Sequence, residues 1–510
     1  MAGEICPDPT FVGRLALSLR RAAARGVFWT ALDHWGYQLA TIVTVAVLAR
    51  LLTPGAFGLV ALATIFTNLL KIMADQGMAD AIVQRSDLED EHLDAAFWAS
   101  VTFGVFLTVT LGATAWLIAG LLAEPALAPV LAVLSLSLAI SGLSNVQRAI
   151  LKREFAFATL ALRSLVSVVI GGVVGVVAAL LGAGVWSLVV QTLTFQIVAV
   201  FTLWMASDWR PRWRFSWSHF RELLPFGTSI VGFRVLRLAN TQTDNFMIGF
   251  FLGSTALGFY IIAYRLLRLM INVTTSVIGS VAFPTFSRIQ HDAERVRRLY
   301  YRTIRLAALV AFPGFLGLVV IAPEATRLLF GPAWEPSIAV MQILCFAGLV
   351  TAVNFLNPTV LKALGKTSWR VVIMGITAVA QLVAFAIAVQ WGIRAVAIAL
   401  VAVVALMAPA WFYAVHRLVG FRVGTLARQF VSPMAASLIM IGAVSAVKNL
   451  VQSVGLLPQI LVLIGTGVTV YSIGLWLIDR PLAREAIELA RLAIPNPDGR
   501  GAHPNGSEGT

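Results

Sequence analysis

Apolar runs of about twenty residues recur along most of the chain, each closed by a short turn carrying polar residues, glycine or proline. A helix rising 1.5 Å per residue needs about that length to cross the ~30 Å hydrocarbon core of a bilayer. Fourteen spans are predicted, with cores at 28–49, 56–73, 96–122, 127–145, 160–181, 185–206, 225–251, 256–281, 306–322, 337–355, 369–390, 394–416, 431–449 and 457–478. The fold class is therefore an all-α polytopic membrane protein. No polar stretch exceeds a few tens of residues, which leaves no place for a large soluble enzyme domain.

The pattern also repeats. Leu52-Thr53-Pro54-Gly55-Ala56-Phe57-Gly58-Leu59 is similar to Leu252-Gly253-Ser254-Thr255-Ala256-Leu257-Gly258-Phe259, 200 residues later. Ile150-Leu151-Lys152 matches Val360-Leu361-Lys362, and Gly184-Val185-Trp186 matches Gly392-Ile393-Arg394. Six helices separate the copies, so the halves share orientation and their pseudo-axis runs along the membrane normal. Parallel repeats of this kind build transporters with a site between the halves. The predicted organisation is two parallel-repeat six-helix lobes plus two C-terminal helices. Its parts are a basic amphipathic N-terminus (1–26), an N-lobe (27–206), a Trp/Arg linker (207–223), a C-lobe (224–416), helices 13 and 14 (417–478) and a tail (479–510) that is disordered towards its end.

Charge refines the topology. The net charge is +14, 59% of residues are hydrophobic and the mean hydropathy is +0.86. In a soluble chain such a balance suggests nucleic acid; here the excess lies in loops, where it sets orientation, and no nucleic-acid partner is expected. The longest basic loop holds Arg288, Arg295, Arg297, Arg298, Arg302 and Arg305, whereas the opposite loops hold only Arg50, Arg327, Arg394 and Lys448. Both termini come out cytoplasmic. The loop from Asp75 to Asp94 breaks the pattern, being acidic with Arg85 alone. Residues 11–25 interleave Leu and Phe with Arg, as a helix lying on the membrane surface does, and do not read as a good cleavable signal. Two cysteines, Cys6 and Cys345, argue against a disulfide framework.

The chemistry concentrates past the midpoint. Arg234, Arg237, Thr241 and Asp244 recur at i, i+3, i+7 and i+10, and Arg265, Arg268 and Asn272 follow in the next span. A guanidinium in hydrocarbon costs about 3 kcal/mol or more, so such residues face a bundle interior or a wet cavity. Arg234 lies about nine residues, or ~13 Å, into its span, too deep to snorkel easily. Arg234, Arg237, Arg265 and Arg268 are the candidate substrate-binding cations, offering forks of donors that match phosphate oxygens. The alternative is that Asp244 and other polar groups pair with them as glue between helices. Shifted back by the repeat, the stripe becomes His34, Tyr37, Thr41 and Thr44 on the first helix. Asp33, His34, Lys71 and Asp75 form a mixed set near the inner ends of the first two spans, read as a salt bridge between helices before a proton relay. Trp and Arg alternate through 208–221, as suits the headgroup interface.

Catalytic motifs are missing. There is no Walker A pattern, no Cys/His spacing that suggests a metal, and no acidic motif on a sizeable outer loop. No cofactor is expected.

Several turns carry a resemblance. Ala49-Arg50-Leu51-Leu52-Thr53-Pro54-Gly55-Ala56-Phe57-Gly58 resembles a turn of the bacterial polysaccharide exporters, and Asp75-Gln76-Gly77-Met78-Ala79-Asp80-Ala81-Ile82-Val83-Gln84 resembles the run that follows it. Asp244-Asn245, Leu252-Gly253, Leu257-Gly258-Phe259-Tyr260-Ile261-Ile262-Ala263 and Phe283-Pro284-Thr285-Phe286-Ser287 look like further family signatures. Over most of residues 25–420 the chain resembles the Wzx-type oligosaccharide flippases, of the colanic-acid exporter kind, within the multidrug/oligosaccharidyl-lipid/polysaccharide exporter superfamily. The resemblance implies a V-shaped pair of lobes in the bacterial inner membrane that alternates access. Its cargo would be an undecaprenyl-pyrophosphate-linked oligosaccharide for exopolysaccharide or lipopolysaccharide synthesis, with a proton or sodium gradient as drive. Membrane lipids, a polysaccharide polymerase and export machinery are the implied partners. The competing expectations are a peptidoglycan-precursor flippase or another exporter of the same superfamily, and a membrane sugar polymerase or transferase.

Overall fold

A computed structural model describes residues 35–85, 87–453 and 455–493. Asp33, His34, the N-terminal segment and the end of the tail lie outside the described residues. The helices of the first half are α1 (Trp35–Leu51), α2 (Pro54–Asp75), α3 (Met78–Gln84), α4 (Asp90–Leu121), α5 (Leu127–Gly142), α6 (Asn145–Arg153), α7 (Phe157–Leu180) and α8 (Trp186–Ala206). Then come α9 (Trp217–Arg288), α10 (Ala293–Leu329), α11 (Pro336–Asn354), α12 (Leu356–Ala363), α13 (Thr367–Ala388) and α14 (Ile393–Val419). Two more long helices, α15 (Val423–Leu450) and α16 (Leu456–Ile478), and the amphipathic α17 (Arg480–Ala493) complete the chain. Among the described residues there is no strand.

Local rules place the ends. Pro54 starts α2, where a missing N–H costs nothing. Glu89 and His92 form a reciprocal capping box at the start of α4. The Asp292 carboxylate accepts the N–H groups of Glu294 and Arg295 at 3.1 and 3.0 Å to begin α10. Gly420, at φ 65°, stops α14 in the left-handed conformation that glycine adopts without penalty.

Among the described residues eleven helices are long and apolar enough to cross a membrane, or twelve when α5 and α6, bent by 41°, count as one. The difference from the predicted fourteen has two sources. The described part of α1 is shorter than the other spans, and α9 counts once although it folds back on itself. At Gly253 the backbone leaves the helix (φ 80°, ψ 178°). The Tyr260 hydroxyl then donates to Asp244 at 2.9 Å, whereas sixteen residues of straight helix would separate them by about 24 Å. The two arms of α9 therefore run antiparallel.

The repeat is visible in how its own turns meet. A Cβ added at Gly58 would lie 1.6 Å from the Ser254 carbonyl oxygen, and one added at Gly258 would lie 2.0 Å from that of Pro54. Residue 54 thus meets 258 as 58 meets 254, a reciprocal contact of the kind a two-fold axis generates. Glycine is obligatory at both places because backbone passes against backbone. The copies differ in one detail: Ser254 donates its N–H to the Glu124 carboxylate at 2.7 Å, while Pro54 has none to donate. Beside this seam the Trp334 indole donates to the Ala49 carbonyl at 2.8 Å, and Arg50 bonds the Leu328 carbonyl. One hydrophobic core runs through the seam, joining residues of α1, α2, α4 and α5 to α9, α10, α11 and α14. Beyond the lobes, Arg305 and Arg302 of α10 pair with Asp479 and Glu485 and dock α17.

Candidate functional site

Two connected cavities open between the N-lobe and α9. The first, the arginine cavity, has a volume of about 530 Å³ and is lined by Tyr37 and Thr41 of α1, Thr64 and Asn68 of α2, Gln191 and Thr192 of α8, and Gln242, Asn245, Tyr264, Arg265 and Arg268 of α9. It ends against the seam, where Phe57 and Ile261 close it. The second, the mixed cavity, has about 690 Å³ and shares Thr64, Asn68, Thr192 and Phe195 with the first. Its wall carries Lys71, Arg148, Lys152, Arg163 and Arg234 against Asp75 and Asp80.

The charge balance differs between them. Arg265 and Arg268 stand three residues apart on the second arm of α9, so one helical face presents both. They are exposed although the helix around them is packed: Leu266, Leu267, Ile262 and Ala263 are buried. The accessible surface of the two guanidinium groups opens onto the cavity they line. Among the described residues no carboxylate lines that cavity. Among the described residues none lies within 4.0 Å of either guanidinium. Arg268 sits over the ring of Tyr264, 5.4 Å from its centre, an attraction that steadies the side chain without cancelling its charge.

In the mixed cavity Arg234 and Lys152 are answered by carboxylates. Arg234 forks between two carboxylates, pairing with Asp75 and, at 2.6 Å, with Asp80. Lys152 lies 3.7 Å from the same Asp80, and Arg148 donates to Asn145 at 2.8 Å. Asp75 is the last residue of α2, delivered there by the Gln76-Gly77 turn, both in the left-handed region. Asp80 follows in α3. The acidic loop that broke the charge pattern of the sequence is thus the partner of a membrane-depth arginine.

The predicted stripe on the first arm of α9 does not hold one face. Arg234 lines the mixed cavity, Arg237 and Thr241 are exposed away from both cavities, and Asp244 is buried at 4% exposure. Asp244 accepts from Tyr260 at 2.9 Å and from the Asn245 N–H at 2.8 Å. For Asp244 angular drift contributes: at about 100° per residue it lies some 80° from Arg234 around the helix, whereas Asn245 lies only about 20° away. Gln242 and Asn245 are the residues this arm gives to the lining of the arginine cavity. On α1, Tyr37 and Thr41 do face the arginine cavity, while Thr44 is buried against Gly172. Lys71 shares the mixed cavity with Asp75, with no ion pair within 4.0 Å among the described residues. Asp33 and His34, expected beside them, lie outside the described residues.

Comparison with known proteins gives a consistent picture. The family described as polysaccharide biosynthesis protein matches residues 47–339, more than half of the chain. The succinoglycan biosynthesis transport protein ExoT of Rhizobium meliloti is 27% identical over 94% of this chain and 98% of its own length. The lipopolysaccharide biosynthesis protein WzxC of Escherichia coli is 28% identical, over 67% of this chain and 70% of its own. Among solved structures, the lipid II flippase MurJ in an inward closed conformation superposes with a TM-score of 0.74 at 16% identity, covering 89% of this chain and 99% of that one. That likeness is one of fold.

Proposed function

The chain belongs to the polysaccharide biosynthesis protein family, and on that premise we propose that it is a flippase for surface-polysaccharide synthesis, carrying an undecaprenyl-pyrophosphate-linked oligosaccharide across the bacterial inner membrane by alternating access. It is a transporter rather than a sugar transferase, in line with relatives named for transport. The single observation that carries the cargo class is the arginine cavity: two guanidinium groups open to a lumen of about 530 Å³ that no carboxylate lines among the described residues. A pyrophosphate brings oxygens that match two such forks, and the nearest acid of this arm, Asp244, is buried and bonded to Tyr260 rather than lining the cavity. The lipid tail stays in the bilayer while the head group uses the polar lining of Thr41, Gln191, Gln242 and Asn245 as hydrogen-bonding partners.

The test is the variant Arg265→Ala/Arg268→Ala in cells that depend on this chain for polymer export. Export falls below detection while the protein remains at wild-type level in the membrane. Wild-type export by the double variant overturns the reading.

A further inference from the structure

Outside both cavities, where the linker meets the N-lobe, a second cluster of titratable groups forms. Glu89 caps α4 and His92 stands three residues on; Ser216 caps α9, and His219 and Glu222 lie in its first two turns. The imidazole rings of His92 and His219 meet edge to face with centres 4.4 Å apart. The ligand atoms of Glu89, His92 and His219 all lie within 4.8 Å of one another. The His92 side chain is 3% exposed, so water supplies it little.

Each ring has an outer partner on the side away from the cluster. Glu222 lies 3.3 Å from Nε2 of His92; a carboxylate only accepts, so Nε2 carries the proton and Nδ1 keeps a lone pair. That lone pair receives only a long contact, 3.3 Å, from the Glu89 N–H. Ser216 Oγ lies 2.6 Å from Nδ1 of His219 and can accept a proton there or donate to it; Nε2 lies 3.3 Å from Glu89 Oε2, so without a metal it donates to that carboxylate, and a metal would take the place of this proton. Two imidazoles and a carboxylate thus come together within 4.8 Å, the His92 Nδ1 held only by the long Glu89 N–H contact. The nearby arginines are engaged elsewhere: Arg85 with Glu222, Arg212 with Asp90 at 3.4 Å and Arg214 with Glu91 at 3.5 Å.

We infer that Glu89, His92 and His219 bind a divalent transition-metal ion of the zinc class. Two imidazoles and one carboxylate suit zinc, and metal–ligand bonds of about 2.0–2.1 Å give tetrahedral edges close to the 3.3 Å seen between Glu89 and His219. Glu222 and Ser216 hold the tautomer and orientation of the two rings from behind. The fourth position is left to water. The bound ion pins the start of α9, the helix whose arms line both cavities, to the N-terminal end of α4. This site stands independently of the transport reading.

The experiment uses the full chain in detergent, affinity tag removed and stripped with chelator, then titrated with Zn²⁺ and with Co²⁺. The expected result is one equivalent of zinc, visible d–d absorption of a tetrahedral cobalt site, and a rise in melting temperature on binding. His92→Ala and the milder His219→Gln each remove the equivalent, and Glu222→Gln weakens affinity by about 10–100-fold. The partly exposed position of His219 keeps the test independent of whether the buried variant folds. A wild-type chain that binds no more zinc than His219→Gln overturns the site, as does a histidine titration with pH that no metal alters.

Discussion

Arg268 and Arg234 sit on opposite arms of one folded-back helix, and the protein treats them in opposite ways. Arg234 is 30% exposed and shared between Asp75 and Asp80. Arg265 and Arg268 face a cavity whose wall, among the described residues, holds no carboxylate. Both arrangements bear the cost of a guanidinium at membrane depth, so the depth of an arginine says little about its purpose. What separates them is whether the chain supplies the anion. Where it does, the pair ties α9 to α2 and α3. Where it does not, the guanidinium groups stay open to an anion from outside.

The largest expected effect comes from making the arginine cavity like the mixed one. Gln242 lines that cavity and its Oε1 accepts from Asn245 at 2.7 Å. Gln242→Glu keeps the acceptor and adds an acid. Polymer export falls at least tenfold while the melting temperature in detergent stays within about 2 °C of wild type. An unchanged export rate breaks the distinction between the cavities.

A second effect, nearly as large, tests the seam that closes the arginine cavity. A Cβ at Gly55 would lie 3.2 Å from Thr255 Oγ1, within the reach of a disulfide, whose Cβ atoms stand about 3.5–4.5 Å apart. The variant Gly55→Cys/Thr255→Cys forms the bond on mild oxidation. Export stops and returns on reduction. Full export by the oxidised form, with cross-linking verified on a gel, shows that the seam does not move.

Much of this was legible in the sequence, for identifiable reasons. The repeat was readable because its turns are held by backbone contacts that only glycine permits, so Gly58 and Gly258 stay in register 200 residues apart. The arginine pair was readable because i, i+3 spacing keeps one face over a single turn. The longer stripe from Arg234 to Asp244 was not, since angular drift over ten residues carries Asp244 out of the cavity and into the core. Arg148, Lys152 and Arg163 line the mixed cavity, although near helix ends such charges ordinarily set topology. Charge counting along a chain does not register that the ends of α6 and α7 face inward. Nor did spacing reveal Glu89, His92 and His219, because two of them share one helical turn and the third arrives through the linker.

The mixed cavity offers a smaller, purely structural effect. Removing one partner of a buried ion pair costs about 3–5 kcal/mol, and partial exposure of Arg234 to a wet cavity reduces this to about 1–3 kcal/mol. Arg234→Ala should lower stability by that amount in the wild-type background. In Asp75→Asn/Asp80→Asn it should lower it far less, because no carboxylate is left stranded. The double-mutant cycle, read from denaturation in detergent, isolates the coupling. Equal losses in both backgrounds mean that Arg234 acts as its counterparts on the other arm do.

The smallest effect comes from the same pairing placed outside the bundle. Asp479 joins α16 to α17 and pairs with Arg305. Burial alone pushes its carboxyl upward, but the bond from Arg305, the Leu482 N–H at 3.1 Å and the Ser432 hydroxyl at 2.9 Å outweigh that and hold it below the usual carboxylate range. A group whose folded value is depressed stabilises the fold above its unfolded value of about 3.9 and loses that contribution as pH falls through the folded one. The contribution is below about 1 kcal/mol, as for a pair near the surface. Between pH 7 and 5 wild type and Asp479→Asn should therefore differ by a constant small offset in melting temperature. Below about pH 4 the two curves should converge as the wild-type carboxylate protonates. Curves that stay parallel to pH 3 mean that Asp479 holds α17 by shape and hydrogen bonds alone, and that the arginine–carboxylate pair matters only inside the cavity.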